Sequence, residues 1–377
     1  MTRSKTNREM GAARTAGEGT GSLAQQKSWF VVAIAAVFAA GGCGGSGQPL
    51  GREPSGQTEL KSDKDADASV VSHVVAPKAT DPAIDRALDD HYAWFNPVSR
   101  GKHRLFVFLP GTNQHPAIFQ LVAKEAARLG YHSIGLMYPD SVAINGACRA
   151  TTDVASCLEN TRLEILDGID RTTVVNVDAA NSIQNRLSKL LQYLSDHFPE
   201  EGWSRFIAHD GPRWSWIAIS GHSQGGGEAA MIAKLHLVAR VVLFSSPGDV
   251  VGGAAAPWLS GHVTPSDRYY GLAHDKDMTA PYASVLKTWE ALGMRAFGGL
   301  VAPEASAPPY DGTHTLVTDL LPQGGSYAGT APHGAPSNDL NTPLLSDGTP
   351  ALREAWRYLL TADDERDEDD EHELSRR

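Results

Sequence analysis

The chain has 377 residues, 41% hydrophobic and 20% charged, with a formal net charge of −11. That is enough apolar material for one large globular domain with a core, and it argues against fibrous and wholly disordered classes. An acidic balance repels phosphate backbones, which argues against nucleic acid as a partner.

The amino-terminal segment carries Arg3, Lys5, Arg8, Arg14 and Lys27, then runs without a charge from Trp29 to Ala40. Such a run is too short to cross a bilayer core of roughly 30 Å as a helix, but it has the length of a signal-peptide apolar region. Ala40-Gly41-Gly42-Cys43 follows. The segment resembles a bacterial lipoprotein signal, although the position three before the cysteine, usually Leu, is Ala40. The resemblance implies removal of residues 1–42, lipid on Cys43 and attachment to a membrane. Gly44 resembles the outer-membrane pattern of two-membrane bacteria. An ordinary secretory peptide cut nearby is the alternative, and either one exports the domain. Residues 43–80 are rich in Gly, Ser, Asp, Lys and Pro and are expected to form a flexible tether.

Residues 81–361 alternate short apolar runs with helical patterns, as expected of an α/β class. Its architecture would be a mostly parallel central sheet with helices on both faces. Residues 103–109 read as a strand, stopped by Pro110-Gly111. Residues 116–129 have helical spacing, with Gly130 just past the end. A strand is expected at 132–138 and a long amphipathic helix at 179–198, with Ile183, Leu187, Leu190, Leu191 and Leu194 on one stripe. Further strands are expected at 214–220, 240–245, 268–273 and 313–321, and helices at 226–237, 282–292 and 350–360. The segment 363–373, DDERDEDDEHE, buries nothing and repels itself, so 362–377 is expected to be a solvated disordered tail.

Gly221-His222-Ser223-Gln224-Gly225 is a G-x-S-x-G pattern, with an apolar strand running into it and a small-residue helix leaving it. A nucleophile on a strained strand-to-helix turn needs glycine two before and two after, since larger side chains would clash there. The helix N-terminus beneath favours developing negative charge. This segment resembles the nucleophile elbow of the α/β-hydrolase superfamily, particularly its lipase-like and esterase-like members. The element order between His103 and Leu360 is also similar. The resemblance implies the α/β-hydrolase fold, with an acid after a later strand, a histidine before the final helix, and an oxyanion donor after an early strand.

Serine needs a base to take its proton and a carboxylate to orient that base. In the loop His274-Asp275-Lys276-Asp277, Asp277 is the expected acid, with Asp275 and then Asp249 as alternatives. Two histidines come late enough to be the base. His333, in a Gly/Pro-rich loop, is favoured over His314, which falls within an apparent strand. His222 is expected to pack or hydrogen-bond locally. Oxyanion donors are expected from the backbone amides of Gln224, the residue after the nucleophile, and Thr112, with Asn113 the alternative to Thr112.

The remaining cysteines, Cys148 and Cys157, are close in sequence. A disulfide is expected in an oxidising compartment, with two buried free thiols as the alternative. No metal-ligand spacing or phosphate loop is present, so no metal or cofactor is implied. The sequence therefore points to a serine hydrolase cleaving carboxylic esters, with a small-molecule, lipid or polyester substrate. The segments 139–177 and 301–336 are expected to form the pocket walls. The same triad serves peptidases, amidases and thioesterases, and a non-catalytic surface lipoprotein using the fold as a binding module is the reading from another class. Oligomeric state is not legible.

Overall fold

The computed structural model describes residues 69–99 and 101–362, all within the unit Leu60–Arg377. The signal segment, Cys43, most of the expected tether and residues 363–377 lie outside the described residues. Eight strands form the central sheet: β1 (Val71–Val75), β2 (His91–Phe95), β3 (Leu105–Leu109), β4 (His132–Gly135), β5 (Ile217–His222), β6 (Arg240–Phe244), β7 (Tyr269–His274) and β8 (Thr315–Thr318). Their spatial order is β1-β2-β4-β3-β5-β6-β7-β8. β2 is antiparallel to both neighbours, and the other pairings are parallel. The protein is thus mixed α/β, built on a large and mostly parallel sheet.

A parallel sheet buries both faces, and the alternation along β3 divides its side chains between two cores. Leu105, Val107 and Leu109 join one core with Ile217, Ile219, Val241 and Leu243; Phe106 and Phe108 join the other with Ala218, Val242 and Phe244. The helices are α1 (Pro77–Thr80), α2 (Gln120–Arg128), α3 (Ile144–Cys148), α4 (Val154–Asp167), α5 (Ile183–His197), α6 (Gln224–Leu235), α7 (Tyr282–Ala291), α8 (Ala331–Gly334) and α9 (Arg353–Thr361). Side chains of α4 to α7 pack into the first core, and those of α2 and α9 into the second. In α5 the apolar stripe Ile183, Leu187, Leu190, Leu191 and Leu194 is buried as its spacing predicts, and the Ser182 side chain caps the helix by accepting from Asn185 N–H. Buried Glu125 joins α2 to α9, accepting from Arg128, Arg353 and Arg357. Among the described residues, no helix is long and apolar enough to cross a membrane.

Several expectations are corrected. The tether expected at 43–80 overlaps β1 and α1, and Val71–Val75 pairs with β2 as an edge strand. An edge strand with Val71 and Val74 exposed has no core-facing alternation to betray it. The strand expected at 214–220 starts at Ile217 and reaches His222, because Trp214–Trp216 form a short 3-10 turn. Those expected at 132–138 and 313–321 shorten to β4 and β8. The 139–177 connection carries two helices, α3 and α4, joined by a disulfide between Cys148 and Cys157.

Candidate active site

β5 hands the chain to α6 through Ser223, which sits at φ 54° and ψ −118°. For a residue with a Cβ this is strained backbone, kept only where the surroundings impose it. Two glycines make the turn possible. A Cβ on Gly221 would lie 2.3 Å from the Gly225 carbonyl carbon, and one on Gly225 would lie 2.1 Å from the Leu109 carbonyl oxygen. The turn is pinned by Ser223 N–H donating to Phe244 O at 2.9 Å and Gly227 N–H to Ser223 O at 3.2 Å. The serine stays partly exposed at the carboxyl end of its strand.

Asp277 and His333 meet at the same end of the sheet, after β7 and β8. His333 Nδ1–H donates to Asp277 Oδ2 at 2.6 Å, and both side chains are buried. Asp277 Oδ1 accepts the backbone N–H groups of Thr279 at 2.8 Å and Ala280 at 3.1 Å, so both carboxylate oxygens are engaged. With its proton on Nδ1, the neutral imidazole presents Nε2 as the accepting nitrogen. His333 occupies α8, a single helical turn rather than the expected loop. Its carbonyl oxygen accepts from Ser245 Oγ and from His222 Nε2, each at 2.9 Å. The His222 and His333 rings lie 4.5 Å apart, so the residue just before the serine in the chain supports the histidine. Burial, then His333, holds the His222 imidazole well below its ordinary range and keeps it neutral.

The alternative residues have other partners. Asp275 is exposed, 3.2 Å from His274 Nδ1 and 4.0 Å from Lys276 Nζ. Asp249 is buried under a two-pronged contact from Arg162 and accepts from Trp258 Nε1. His314 stacks on Tyr270 and Phe297, and its Nδ1 donates to Tyr269 O.

The loop after β3 closes over the serine. A Cβ on Gly111 would lie 3.1 Å from Ser223 Cβ. Asn113 N–H donates to Asp140 O at 3.2 Å and Gln114 N–H to Gly111 O at 3.0 Å, so both amides are engaged within the scaffold. That favours the Thr112 amide over the Asn113 amide as a donor to an incoming oxygen. Thr112 Oγ1 also donates to Gln224 Oε1 at 2.8 Å, tying the two expected oxyanion residues together. A cavity of about 360 Å³ opens beside this loop, lined in part by Gln114, Asp140, Val142, Val177 and Gln224. Residues of the 139–177 connection line this cavity, and burial pushes the Asp140 carboxyl up to about 7. Pro308, Pro309, Gly312 and His314 line a second cavity of about 500 Å³, whose lining includes none of Ser223, Asp277 and His333.

Sequence reasoning overlooked Ser245, Gln114 and Arg162. Arg162 left a signal: it interrupts the helical stripe Leu158, Thr161, Ile165 at a position that should be buried, and it is buried. Among the described residues, no group of three or more His, Cys, Asp or Glu is placed to hold a metal ion. The sequence matches no protein-family model, and a search of curated proteins finds no match.

Proposed function

We propose that the protein is a serine hydrolase of the α/β-hydrolase kind that cleaves carboxylic esters. The observation that carries this reading is the strained Ser223 at a strand-to-helix turn, with a buried His333–Asp277 pair supported by the residue before it. The large, mostly parallel sheet with β2 alone reversed supports this reading. His333 Nε2 takes the Ser223 proton as Oγ attacks the acyl carbonyl carbon, and Asp277 stabilises the imidazolium. The amides of Gln224 and Thr112 hold the oxyanion, a contribution of roughly 3–4 kcal/mol per donor. Collapse breaks the bond to the alkoxide, which leaves with the proton held by His333. Water, activated by the same imidazole, then releases the carboxylic acid and restores the serine. Export and lipid attachment through Cys43 belong to the same proposal; the Cys148–Cys157 disulfide suits an oxidising compartment.

A fluorophosphonate probe tests the reading directly. Wild type is expected to be labelled covalently and Ser223→Ala not at all. A folded wild type that takes no label refutes the hydrolase and favours a binding module.

A further inference from the structure

The connection between β4 and α5 does more than wall a cavity: it reaches the residue after the nucleophile. From α4, the buried Arg162 guanidinium donates from Nη1 to the Gln224 carbonyl oxygen at 3.2 Å. The same Nη1 donates to Glu228 Oε1 at 2.8 Å, while Nε and Nη2 hold Asp249 Oδ2 and Oδ1 at 2.8 and 2.7 Å. Trp258 lies 5.5 Å from the guanidinium. The third glycine after the serine makes room for this cation: a Cβ on Gly227 would lie 2.3 Å from Arg162 Cζ. Five residues before Arg162, Cys157 is stapled to Cys148 on α3, and Ile144 N–H of α3 faces Gln224 Oε1 at 3.5 Å.

Placement and charge together argue for a role beyond packing. The first turn of a helix is its positive end, where a buried cation opposes the macrodipole. A buried ion cluster is itself weak evidence of stabilisation, since desolvation offsets most of the Coulomb attraction. What the arrangement does achieve is rigidity at one point. The peptide bearing the Gln224 N–H has its carbonyl held by Gly227, and the next peptide has its carbonyl held by Arg162. Two consecutive peptide planes are fixed, and the first of them carries the expected oxyanion donor, with Arg162 holding the plane that follows it.

Resting on the serine-hydrolase reading above, we propose that Arg162 is a positioning residue, which, anchored by Asp249 and Glu228, holds the Gln224 amide aimed at the developing oxyanion. The charge of this cluster then matters to the reaction. Glu228 faces Arg162 from α4, Asp249 from the segment after β6, and Tyr138 from the segment after β4. Burial pushes its carboxyl up to about 8, against the opposing pull of Arg162 and with Asp249 adding to the rise. Its Oε2 has no hydrogen-bond partner among the described residues. Tyr138 stays neutral, its phenol raised well above the usual range by burial. Below pH 8 the cluster is near neutral; above it, an added negative charge lies beside the amides that must receive an oxyanion.

The test measures kcat and KM for p-nitrophenyl acetate from pH 6 to 10, with fluorophosphonate labelling and thermal melts, in wild type, Arg162→Met, Arg162→Lys and Glu228→Gln. Arg162→Met is expected to lower kcat about a hundredfold, the scale of one oxyanion donor, with KM within about threefold. Arg162→Lys is expected to recover part of that loss. Wild-type kcat is expected to fall as pH rises through 8, and Glu228→Gln to abolish the fall. A folded Arg162→Met with wild-type kcat overturns the role. Should that variant not fold, Glu228→Gln decides, because it leaves the Arg162–Asp249 pair in place: loss of the alkaline fall supports the role, and an unchanged profile overturns it. Wild type that takes label alongside a fully active Arg162→Met overturns this role alone, whereas unlabelled wild type overturns the hydrolase reading and this role with it.

Discussion

Asp277→Asn isolates the one hydrogen bond that sets the state of the candidate base. In the wild type, Oδ1 accepts the amides of Thr279 and Ala280 while Oδ2 accepts the His333 Nδ1 proton. A carboxamide has a single acceptor oxygen. If that oxygen keeps the two backbone amides, its NH₂ group turns to His333 and forces Nδ1 to accept. The imidazole proton then moves to Nε2, the nitrogen that must receive the Ser223 proton. Shape and burial are nearly unchanged, so the fold should survive with a stability loss of about 1–2 kcal/mol, the scale of one altered hydrogen bond. The chemical step should not: a wrong tautomer of this kind lowers kcat by roughly 10⁴-fold, about 5.5 kcal/mol at 1.36 kcal/mol per tenfold. Steady-state hydrolysis of p-nitrophenyl acetate measures the change, and circular dichroism checks the fold. A folded variant retaining more than about a tenth of wild-type kcat would refute the pairing of Asp277 with His333 as catalytic, since so small a loss cannot follow from a base in the wrong tautomer.

Two further outcomes follow from the same geometry. Gly225→Ala puts a Cβ 2.1 Å from the Leu109 carbonyl oxygen and 2.3 Å from that of Pro110, so the loop carrying Thr112 must move; esterase activity should collapse and the melting temperature fall, and a variant that keeps both contradicts the elbow packing. His91 is fully buried, its Nδ1 accepting from Met137 N–H, and burial, aided by Arg186, holds it down to about 3. The unfolded chain binds this proton near pH 6.5 and the folded chain does not, so stability present above pH 6.5 is lost as pH falls towards 3, by about 2 kcal/mol at pH 5. His91→Asn, which keeps an acceptor for Met137, should flatten that loss in denaturant melts between pH 7 and 5; an unchanged slope would assign the acid sensitivity elsewhere.

Much of the scaffold was legible because each face of a parallel sheet demands its own apolar residues. Runs such as Leu105 to Leu109, buried on both sides, announce strands with little ambiguity, and the stripe in α5 announces a helix. β1 was not legible: it holds its place through backbone pairing with β2 while exposing Val71 and Val74, and backbone pairing leaves no mark on side-chain pattern. The turn at Ser223 could be read because it is local, a strained backbone written in adjacent glycines. Asp277 and His333 were the expected acid and base, ahead of Asp275, Asp249 and His314, but that the two side chains meet is a tertiary fact that no local pattern contains.

What the sequence determined alone, then, was the class of fold and the serine at its turn, both consequences of interactions within a few residues. Tertiary structure decided the partners. It brought Asp277 to His333 across 56 positions, sent Asp249 to Arg162 instead, and left Asp275 at the surface beside Lys276. It also carried a cation from α4 to the helix that follows Ser223, 62 positions away, through a gap that the absence of a Cβ at Gly227 opens. Contacts between distant segments depend on how whole layers pack, and no short window of sequence contains that information.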